Sequence, residues 1–214
     1  MEIIWNPKEI EVKSMAIVDE YLTGYTFTSA EKDVVKRIIH TTGDPEILSS
    51  VLFHPHAARD GIKALRGGAN VFTDVNMLKA GINAKTLNGF GGEIFCGVAE
   101  EEVVQFAKDE GITRSAAAMR IYGKRLNGAV IAIGNAPTAL FEVLDLIEKG
   151  IAKPALIVGT PVGFVGAKES KELMIEKNPV PYITVIGTRG GSPIAACIVN
   201  ALMYFRGDEV EDKR

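Results

Sequence analysis

Two uninterrupted apolar runs, each followed by a glycine, a proline-containing turn and a helical pattern, constrain the fold of this chain most strongly. The first run occupies residues 129–133 and the second occupies residues 155–158. A strand without polar alternation is typical of a parallel sheet that helices cover on both faces. The stretch 128–171 therefore predicts two successive strand–loop–helix units of such a sheet.

The loops after these strands predict a ligand site. Open α/β sheets bind ligands at the carboxyl ends of their strands, and the helices that begin there present free backbone N–H groups and positive dipole ends. We therefore expect an anionic ligand at this edge. A further glycine-rich turn, 187–192, follows a strand predicted at 182–186. It matches neither a P-loop nor a Gly-x-Gly-x-x-Gly fingerprint, so a phosphate cradle and a plain glycine turn remain equally open.

Two helical patterns open the chain. Asn6 followed by Pro7 is a favourable helix start, and Ser14 falls within the helix that follows. The apolar residues of this helix lie on one face and are Ile10, Ile17, Val18, Tyr21 and Leu22. Thr28 and Glu31 have capping-box spacing at the start of the second helix.

The order of the remaining patterns indicates the fold class. Strand patterns at 71–74 and 93–98 alternate with helical patterns, and 86–90 is predicted to be a loop. We expect a three-layer α/β/α sandwich on a largely parallel sheet of about five strands, preceded by two helices. A chain of this length is expected to form one domain over 1–214, with 207–214 as a frayed tail.

Composition excludes several classes of protein. The net charge of −3 gives no general electrostatic reason to bind nucleic acid or an anionic membrane. The two cysteines, Cys96 and Cys197, lie in apolar segments, which favours a reducing compartment over a disulfide scaffold. We find no signal peptide and no apolar run of the roughly 20 residues that a membrane span needs. We therefore expect a soluble, cytoplasmic protein.

His40 is the clearest candidate for proton transfer. It is predicted in the last turn of the second helix, with Arg37 one turn earlier. A helix C-terminus favours the imidazolium form, which keeps a transferable proton available near neutral pH. Arg37 would oppose that charge unless an anionic ligand neutralised it. Taken alone, the residue pattern favours a simple partner of the helix dipole over a catalytic acid.

Other candidate motifs indicate less. His54 and His56 lie two residues apart without a carboxylate or cysteine cluster at ligand spacing, so we interpret them as turn residues and predict no metal site. Gly-x-Ser-x-Gly is absent, so no nucleophile elbow is indicated. Thr113 and Arg114 open a predicted helix, where an arginine beside free N–H groups suits a carboxylate or phosphate. A solvated surface pair is the alternative.

Taken together and in order, these motifs resemble the precorrin-8X methylmutase family of cobalamin biosynthesis, which includes its cobalt-precorrin-8 counterpart. The most specific blocks are Ile-Gly-Asn-Ala-Pro-Thr-Ala-Leu-Phe at 133–141 and Pro-Val-Gly-Phe-Val-Gly-Ala at 161–167. The other matching segments are Ile10-Glu11 with Ser14, Arg37-Ile38-Ile39-His40, Asp74-Val75-Asn76-Met77, Thr113-Arg114-Ser115-Ala116-Ala117, and Arg189-Gly190-Gly191-Ser192. The resemblance covers nearly the whole chain.

The resemblance implies an isomerase that moves a methyl group from C-11 to C-12 of a ring-contracted tetrapyrrole carrying many carboxylates. Such a shift can proceed as a sigmatropic rearrangement, without a covalent enzyme intermediate or an added cofactor. Cobalt, where present, would be carried inside the macrocycle and would need no protein ligand. The family is dimeric, with the active site at or near the subunit interface, so a homodimer is also implied.

The resemblance also assigns roles to residues. The family's histidine, which is thought to protonate the ring-C nitrogen, matches His40, and this raises the catalytic interpretation of His40 above the dipole interpretation. The substrate-binding residues that we expect are Ser14, Arg37, Thr86, Arg114 and Arg189. Where relatives tend to carry two basic residues, the 187–189 segment has only Arg189, so one carboxylate contact is in doubt.

Two rival functions remain at this stage. A tetrapyrrole-binding or carrier protein would have the same cavity without turnover. A nucleotide-binding enzyme would use the glycine-rich strand ends for phosphates, although the missing fingerprints argue against it.

Overall fold

A six-stranded sheet lies at the centre of the computed structural model, which describes residues 3–207. The strands are β1 (Val51–Phe53), β2 (Val71–Thr73), β3 (Ile94–Phe95), β4 (Val130–Ile133), β5 (Leu156–Gly159) and β6 (Tyr182–Val185). Their order is β1-β6-β5-β4-β2-β3, and all neighbours are parallel except β1 and β6. The prediction of a largely parallel sheet is confirmed. The predicted frayed tail lies outside the described residues from position 208 onward.

Helices cover both faces of this sheet. The helices within residues 3–207 are α1 (Pro7–Tyr21), α2 (Ser29–Thr42), α3 (Ala57–Arg66), α4 (Asn76–Gly81), α5 (Ala84–Gly89), α6 (Glu101–Glu110), α7 (Arg114–Tyr122), α8 (Pro137–Glu148), α9 (Ala167–Lys177) and α10 (Ser192–Tyr204). Short 3₁₀ turns occupy Pro45–Ser50 and Gly123–Leu126. No helix within the described residues is long and apolar enough to cross a membrane.

Alternation along the strands divides the core into two layers. In β4, Val130 and Ala132 join the cluster that packs against α1 to α5 and α10. Ile131 and Ile133 join the opposite cluster, formed with α6 to α9. Since successive strand residues point to opposite faces, a strand with helices on both sides must be apolar throughout. The three-layer sandwich predicted from the order of strand and helix patterns is therefore confirmed.

The leading helices begin as their sequences predict. The Asn6 side chain accepts from the backbone N–H groups of Lys8 and Glu9, and Thr28 and Glu31 form a reciprocal capping box. The apolar face of α1 is only partly covered, however. Val18 and Leu22 are buried, whereas Ile10, Ile17 and Tyr21 are 46–49% exposed. Ile10, Ile17 and Tyr21 together form an exposed apolar surface, which we call the apolar shoulder of α1.

Two segments differ from the sequence-based predictions. β1 adds a sixth, antiparallel strand at the sheet edge, one more than expected, and its three-residue apolar run is too short to show a strand period. The predicted loop at 86–90 is wrong because residues 84–89 form α5. Asn83 caps this helix by accepting from the N–H of Thr86 at 3.0 Å. A single cap stabilises one turn that the sequence period does not reveal.

Candidate active site

Ser14, Arg37 and His40 come together where α1 packs against α2. Arg37 and His40 are one turn apart on α2, so their side chains leave the helix on the same side. Ser14 Oγ lies 2.8 Å from Nδ1 of His40, and Arg37 Nη2 lies 2.9 Å from Oε1 of Glu11. The structure thus brings together three residues that the sequence analysis selected. Glu11 is a fourth member that it had not selected.

A cavity of about 370 Å³ lies beside this group. α1 and α2 contribute Glu11, Arg37 and His40 to its wall, and α10 contributes Asn200 and Tyr204. This volume is at the lower end of the range for small-molecule pockets. A ligand much larger than this would therefore place one edge in the cavity and the remainder outside it.

The Ser14 hydroxyl determines how the imidazole of His40 is presented. His40 is exposed and lies in the last turn of α2. When His40 is an imidazolium, Nδ1–H donates to Ser14 Oγ, and Nε2–H is left for another acceptor. The same contact persists after Nε2 loses its proton, because the remaining proton stays on Nδ1. The pair is therefore suited to proton transfer through Nε2.

Arg37 is already paired within the chain. Its guanidinium donates to the carboxylate of Glu11, and both side chains are about half exposed. An exposed ion pair of this kind contributes roughly 0–1 kcal/mol, so a ligand carboxylate can replace Glu11 at little cost. The anion expected to neutralise Arg37 beside His40 is present here as a residue of the chain itself.

Cys197 lines the same cavity but is not a nucleophile. Burial raises the pKa of its thiol to about 11, and Sγ donates to the carbonyl of Ile194 at 3.2 Å. Because the thiolate is the reactive form, this cysteine is inert at neutral pH. Covalent chemistry at this cavity is therefore not expected from Cys197.

Thr86 lies in the first turn of α5 and is connected to the cavity through Asn83. Asn83 Nδ2 donates to Oη of Tyr204 at 2.6 Å, and the Asn83 backbone N–H donates to Oδ1 of Asn200 at 2.9 Å. Tyr204 and Asn200 both line the cavity of His40. Thr86 is therefore linked to the cavity through one intervening residue, Asn83. It makes no direct hydrogen bond to His40.

At the carboxyl end of β4, three backbone N–H groups already have an acceptor within the chain. The carboxylate of Asp74, which follows β2 directly, accepts from the N–H groups of Gly134, Asn135 and Ala136 at 3.2, 2.7 and 2.6 Å. Asp74 is fully buried, and burial raises the pKa of its carboxyl against the opposing effect of these donors. The expectation of an external anion at the start of α8 is therefore wrong, because an internal carboxylate holds that position.

Residue 134 must be glycine because the backbone of α10 lies directly against it. A Cβ at this position would lie 2.6 Å from Cα of Ser192, at the start of α10. The loop after β4 therefore packs directly against the backbone of α10.

The next two loops of this edge are joined by Lys171, a fully buried residue of α9. Lys171 Nζ donates to the carbonyl of Pro161 at 3.0 Å and to the carbonyl of Arg189 at 2.7 Å. Burial lowers the pKa of this ammonium to about 8. The glycine-rich turn at 187–191 is thus held by a lysine from inside, and the plain-turn interpretation fits it better than a phosphate cradle.

Arg189 and Arg114 lie in different surroundings from His40. The Arg189 guanidinium pairs with Asp44 at 3.0 Å and approaches Glu46 at 3.9 Å, in the segment directly after α2. Arg114 opens α7, in the layer on the opposite face of the sheet from α2. Within one chain, the structure does not bring Arg114 to the His40 cavity.

Several exposed apolar residues lie at the carboxyl edge of the sheet. Phe164 and Val165 lie between two glycines in the loop before α9 and are 93% and 90% exposed. Met77, in the first turn of α4, is 71% exposed, whereas Met119 is fully buried. Met119 is therefore a core residue, whereas Met77 is available to a ligand or partner.

Glu11, Asp74 and Lys171 are three of the polar residues described above that the sequence analysis did not select. Asp74 had one usable signal, since it directly follows a strand at the edge where helices begin. Lys171 lies in a helix with exposed charged neighbours, and its burial follows only from how α9 packs.

Comparison with known proteins gives a consistent result. A family model described as "Precorrin-8X methylmutase" matches residues 9–205. The chain is 44% identical to the cobalt-precorrin-8 methylmutase of Priestia megaterium, over 92% of this chain and 87% of that one. It is 43% identical to the precorrin-8X methylmutase of Pseudomonas aeruginosa, over 79% and 82%. The solved precorrin-8X methylmutase from Thermus thermophilus superimposes with a TM-score of 0.83 at 36% identity, over 91% and 95%.

Proposed function

Because the chain belongs to the precorrin-8X methylmutase family of cobalamin biosynthesis, we propose that it moves a methyl group from C-11 to C-12 of precorrin-8X or cobalt-precorrin-8. The products would be hydrogenobyrinate or cobyrinate. The enzyme is an isomerase, as its methylmutase relatives are. The observation that carries the proposal at the atomic level is the 2.8 Å contact between Ser14 Oγ and His40 Nδ1 at a cavity that also holds Arg37.

His40 acts as the proton donor and acceptor of the macrocycle. Its Nδ1 side is occupied by Ser14, so Nε2 is the atom that exchanges a proton with a ring nitrogen. Protonation withdraws electron density from the macrocycle and lowers the barrier to methyl migration. A positioned acid of this type typically contributes about 10²–10⁴-fold to the rate. Ser14 is therefore a positioning residue of His40 in addition to a substrate contact.

The three arginines and Thr86 bind the carboxylate side chains at the periphery of the substrate. Arg37 exchanges its Glu11 partner for a substrate carboxylate, and Arg189 can do the same with Asp44. Guanidinium groups pair with carboxylates through two parallel hydrogen bonds. Arg114 also binds a substrate carboxylate, although it lies in the layer on the opposite face of the sheet from α2. The protein needs no cofactor for this reaction, and cobalt, where present, belongs to the substrate.

A homodimer would explain two features of the site. The His40 cavity encloses only one edge of a macrocycle, and Arg114 is not beside it in the same chain. The exposed apolar shoulder of α1 and the exposed Phe164–Val165 loop offer surface that a second copy can cover. A second subunit would add walls to the cavity. The sedimentation coefficient in analytical ultracentrifugation tests this, and a monomer at micromolar concentration would contradict it.

The reaction is tested by adding purified protein to precorrin-8X and, separately, to cobalt-precorrin-8, and following the visible spectrum. We expect conversion to the corrin spectrum with at least one of the two. A spectrum that stays that of bound substrate would support the carrier alternative instead. His40→Ala should fold and bind the macrocycle but lose turnover by at least about 10²-fold. His56→Ala, a second histidine outside the cavity, is the matched control and should retain the wild-type rate.

A further inference from the structure

Tyr204 is a wall residue of the His40 cavity to which the sequence analysis gave no role. It ends α10, is 45% exposed and lines the same cavity as Arg37 and His40. The chain directly after it is fixed, because the Arg66 guanidinium donates to the carbonyl of Phe205. The phenol is therefore held beside the candidate catalytic residue by the packing of α10 and by this backbone contact.

Asn83 determines which hydrogen-bonding role is left to the phenol. Oδ1 of Asn83 accepts from the N–H of Thr86, so the atom that faces Tyr204 Oη at 2.6 Å is Nδ2. An amide NH₂ group can only donate. The oxygen of Tyr204 must therefore accept here, and its own proton remains for another partner. Asn200 holds Asn83 in place by accepting from its backbone N–H.

The free proton of Tyr204 indicates the chemistry of its partner. Within residues 3–207, no acceptor is hydrogen-bonded to this hydroxyl. The Arg37 guanidinium is a second donor at the cavity, and its Glu11 partner is exchangeable. A neutral donor group would satisfy neither side chain, whereas an anionic oxygen acceptor satisfies both. A carboxylate meets this requirement, and the proposed tetrapyrrole substrate carries many of them.

We propose that Tyr204 is a substrate-binding residue, whose hydroxyl donates a hydrogen bond to a carboxylate at the edge of the macrocycle that enters the His40 cavity. This inference rests on the proposed function, since it takes the ligand to be a carboxylate-bearing tetrapyrrole. Tyr204 and Arg37 together fix that edge relative to Nε2 of His40. Tyr204 thereby selects the orientation in which the macrocycle binds, and Asn83 keeps its hydroxyl in the donating state.

The first test compares Tyr204→Phe with wild-type protein in steady-state turnover and in spectrophotometric titration with the product corrin. A hydrogen bond to a charged group contributes about 1.5–3 kcal/mol, which converts to a roughly ten- to hundredfold rise in KM and in product Kd. We expect kcat to change less than KM. Tyr25→Phe, another half-exposed tyrosine outside the cavity, is the matched control and should leave both constants unchanged. Wild-type KM and Kd in Tyr204→Phe would overturn the proposal.

A second variant tests the donating state without altering Tyr204. Asn83→Asp keeps an oxygen that caps α5, but it replaces the donor that faces the phenol by an acceptor. The Tyr204 proton would then be used inside the protein, so product affinity should fall as it does in Tyr204→Phe. In the double variant we expect no further loss, because the hydroxyl is already absent. Wild-type affinity in Asn83→Asp, or fully additive losses, would contradict the role assigned to the Tyr204 proton.

Failure of this inference is distinguishable from failure of the proposed function. If wild-type protein binds the product corrin but does not convert either substrate, the isomerase proposal fails. The comparison of product Kd between wild type and Tyr204→Phe still decides the role of Tyr204 in that case.

Discussion

The hydroxyl of Ser14 lies 2.8 Å from Nδ1 of His40, joining the first helix of the chain to the last turn of the second. This contact fixes the imidazole about its side-chain torsions and leaves Nε2 for the substrate. A histidine with one nitrogen bound in this way needs no large rearrangement when its proton is transferred. The orientation of the acid is therefore set before substrate binds.

Ser14→Ala should lower kcat while leaving the fold intact. Without the hydroxyl, the His40 ring can rotate, and only a fraction of molecules present Nε2 productively. We expect kcat to fall by about tenfold or more, since misplacement by about 1 Å can cost 10²-fold. Ser14→Thr, which keeps a hydroxyl, should retain most of the rate. Equal kcat in Ser14→Ala and wild type, measured by the appearance of the corrin spectrum, would remove Ser14 from this role.

Glu11→Gln should strengthen binding of the product corrin. The amide cannot form an ion pair with Arg37, so a ligand carboxylate no longer competes with an internal one. We expect product Kd to fall a few-fold and the free energy of unfolding to change by less than about 1 kcal/mol, because the pair is half exposed. Arg37→Ala should weaken binding instead. Weaker binding by Glu11→Gln would show that Glu11 positions Arg37 and does not compete with the ligand.

Asp74→Asn should destabilise the protein. The amide has one acceptor oxygen in place of two, and its NH₂ group would face a backbone N–H of the loop at 134–136. An unsatisfied buried polar group costs about 1–3 kcal/mol, so the urea midpoint should fall. Asp145→Asn, on an exposed pair with Lys149, is the control and should change stability by less than about 0.5 kcal/mol.

Lys171→Met should remove part of the pH dependence of stability. The pKa of Lys171 is lowered by burial from its usual 10.5 to about 8. Between these values the unfolded chain binds the proton and the folded chain does not, so the free energy of unfolding of the wild type rises with pH there. Below pH 8 both states are protonated and this contribution is constant.

The measurement is urea denaturation of wild type and Lys171→Met from pH 7 to pH 10.5. We expect the difference between the two to shift in favour of the wild type by on the order of 2 kcal/mol across this range. Tyrosine and cysteine titrations occur in both proteins and cancel in the difference. A difference that is independent of pH would contradict the lowered pKa.

The parts of the fold that the sequence predicted are those with a long apolar run, or with a cap that is followed by an amphipathic helical period. The runs at 129–133 and 155–158 became β4 and β5 almost residue for residue, because a strand buried on both faces leaves an unmistakable apolar run. β1 and α5 were missed because each is short and is stabilised by a neighbour, β6 for one and α10 for the other. Contacts between distant segments leave no local pattern.

The candidate site also has a part that the sequence predicted and a part that only the structure shows. Arg37 and His40 have a helical spacing that places them on one side of α2, and the structure brings Ser14 to them. The ion pair with Glu11, the hydroxyl of Tyr204 and the burial of Lys171 depend on how helices cross. Helix crossings are decided by packing of whole faces, which no single motif specifies.

The carboxylate of Asp74 means that this protein carries a built-in counterion at the place where many sheets of this architecture hold a phosphate. Truncation of that side chain to alanine would leave a small receptor lined by three backbone N–H groups. Formate or acetate has the charge and shape to enter it, so such a variant is a candidate for chemical rescue. A receptor of this kind would convert a structural element into a binding site without changing the active site.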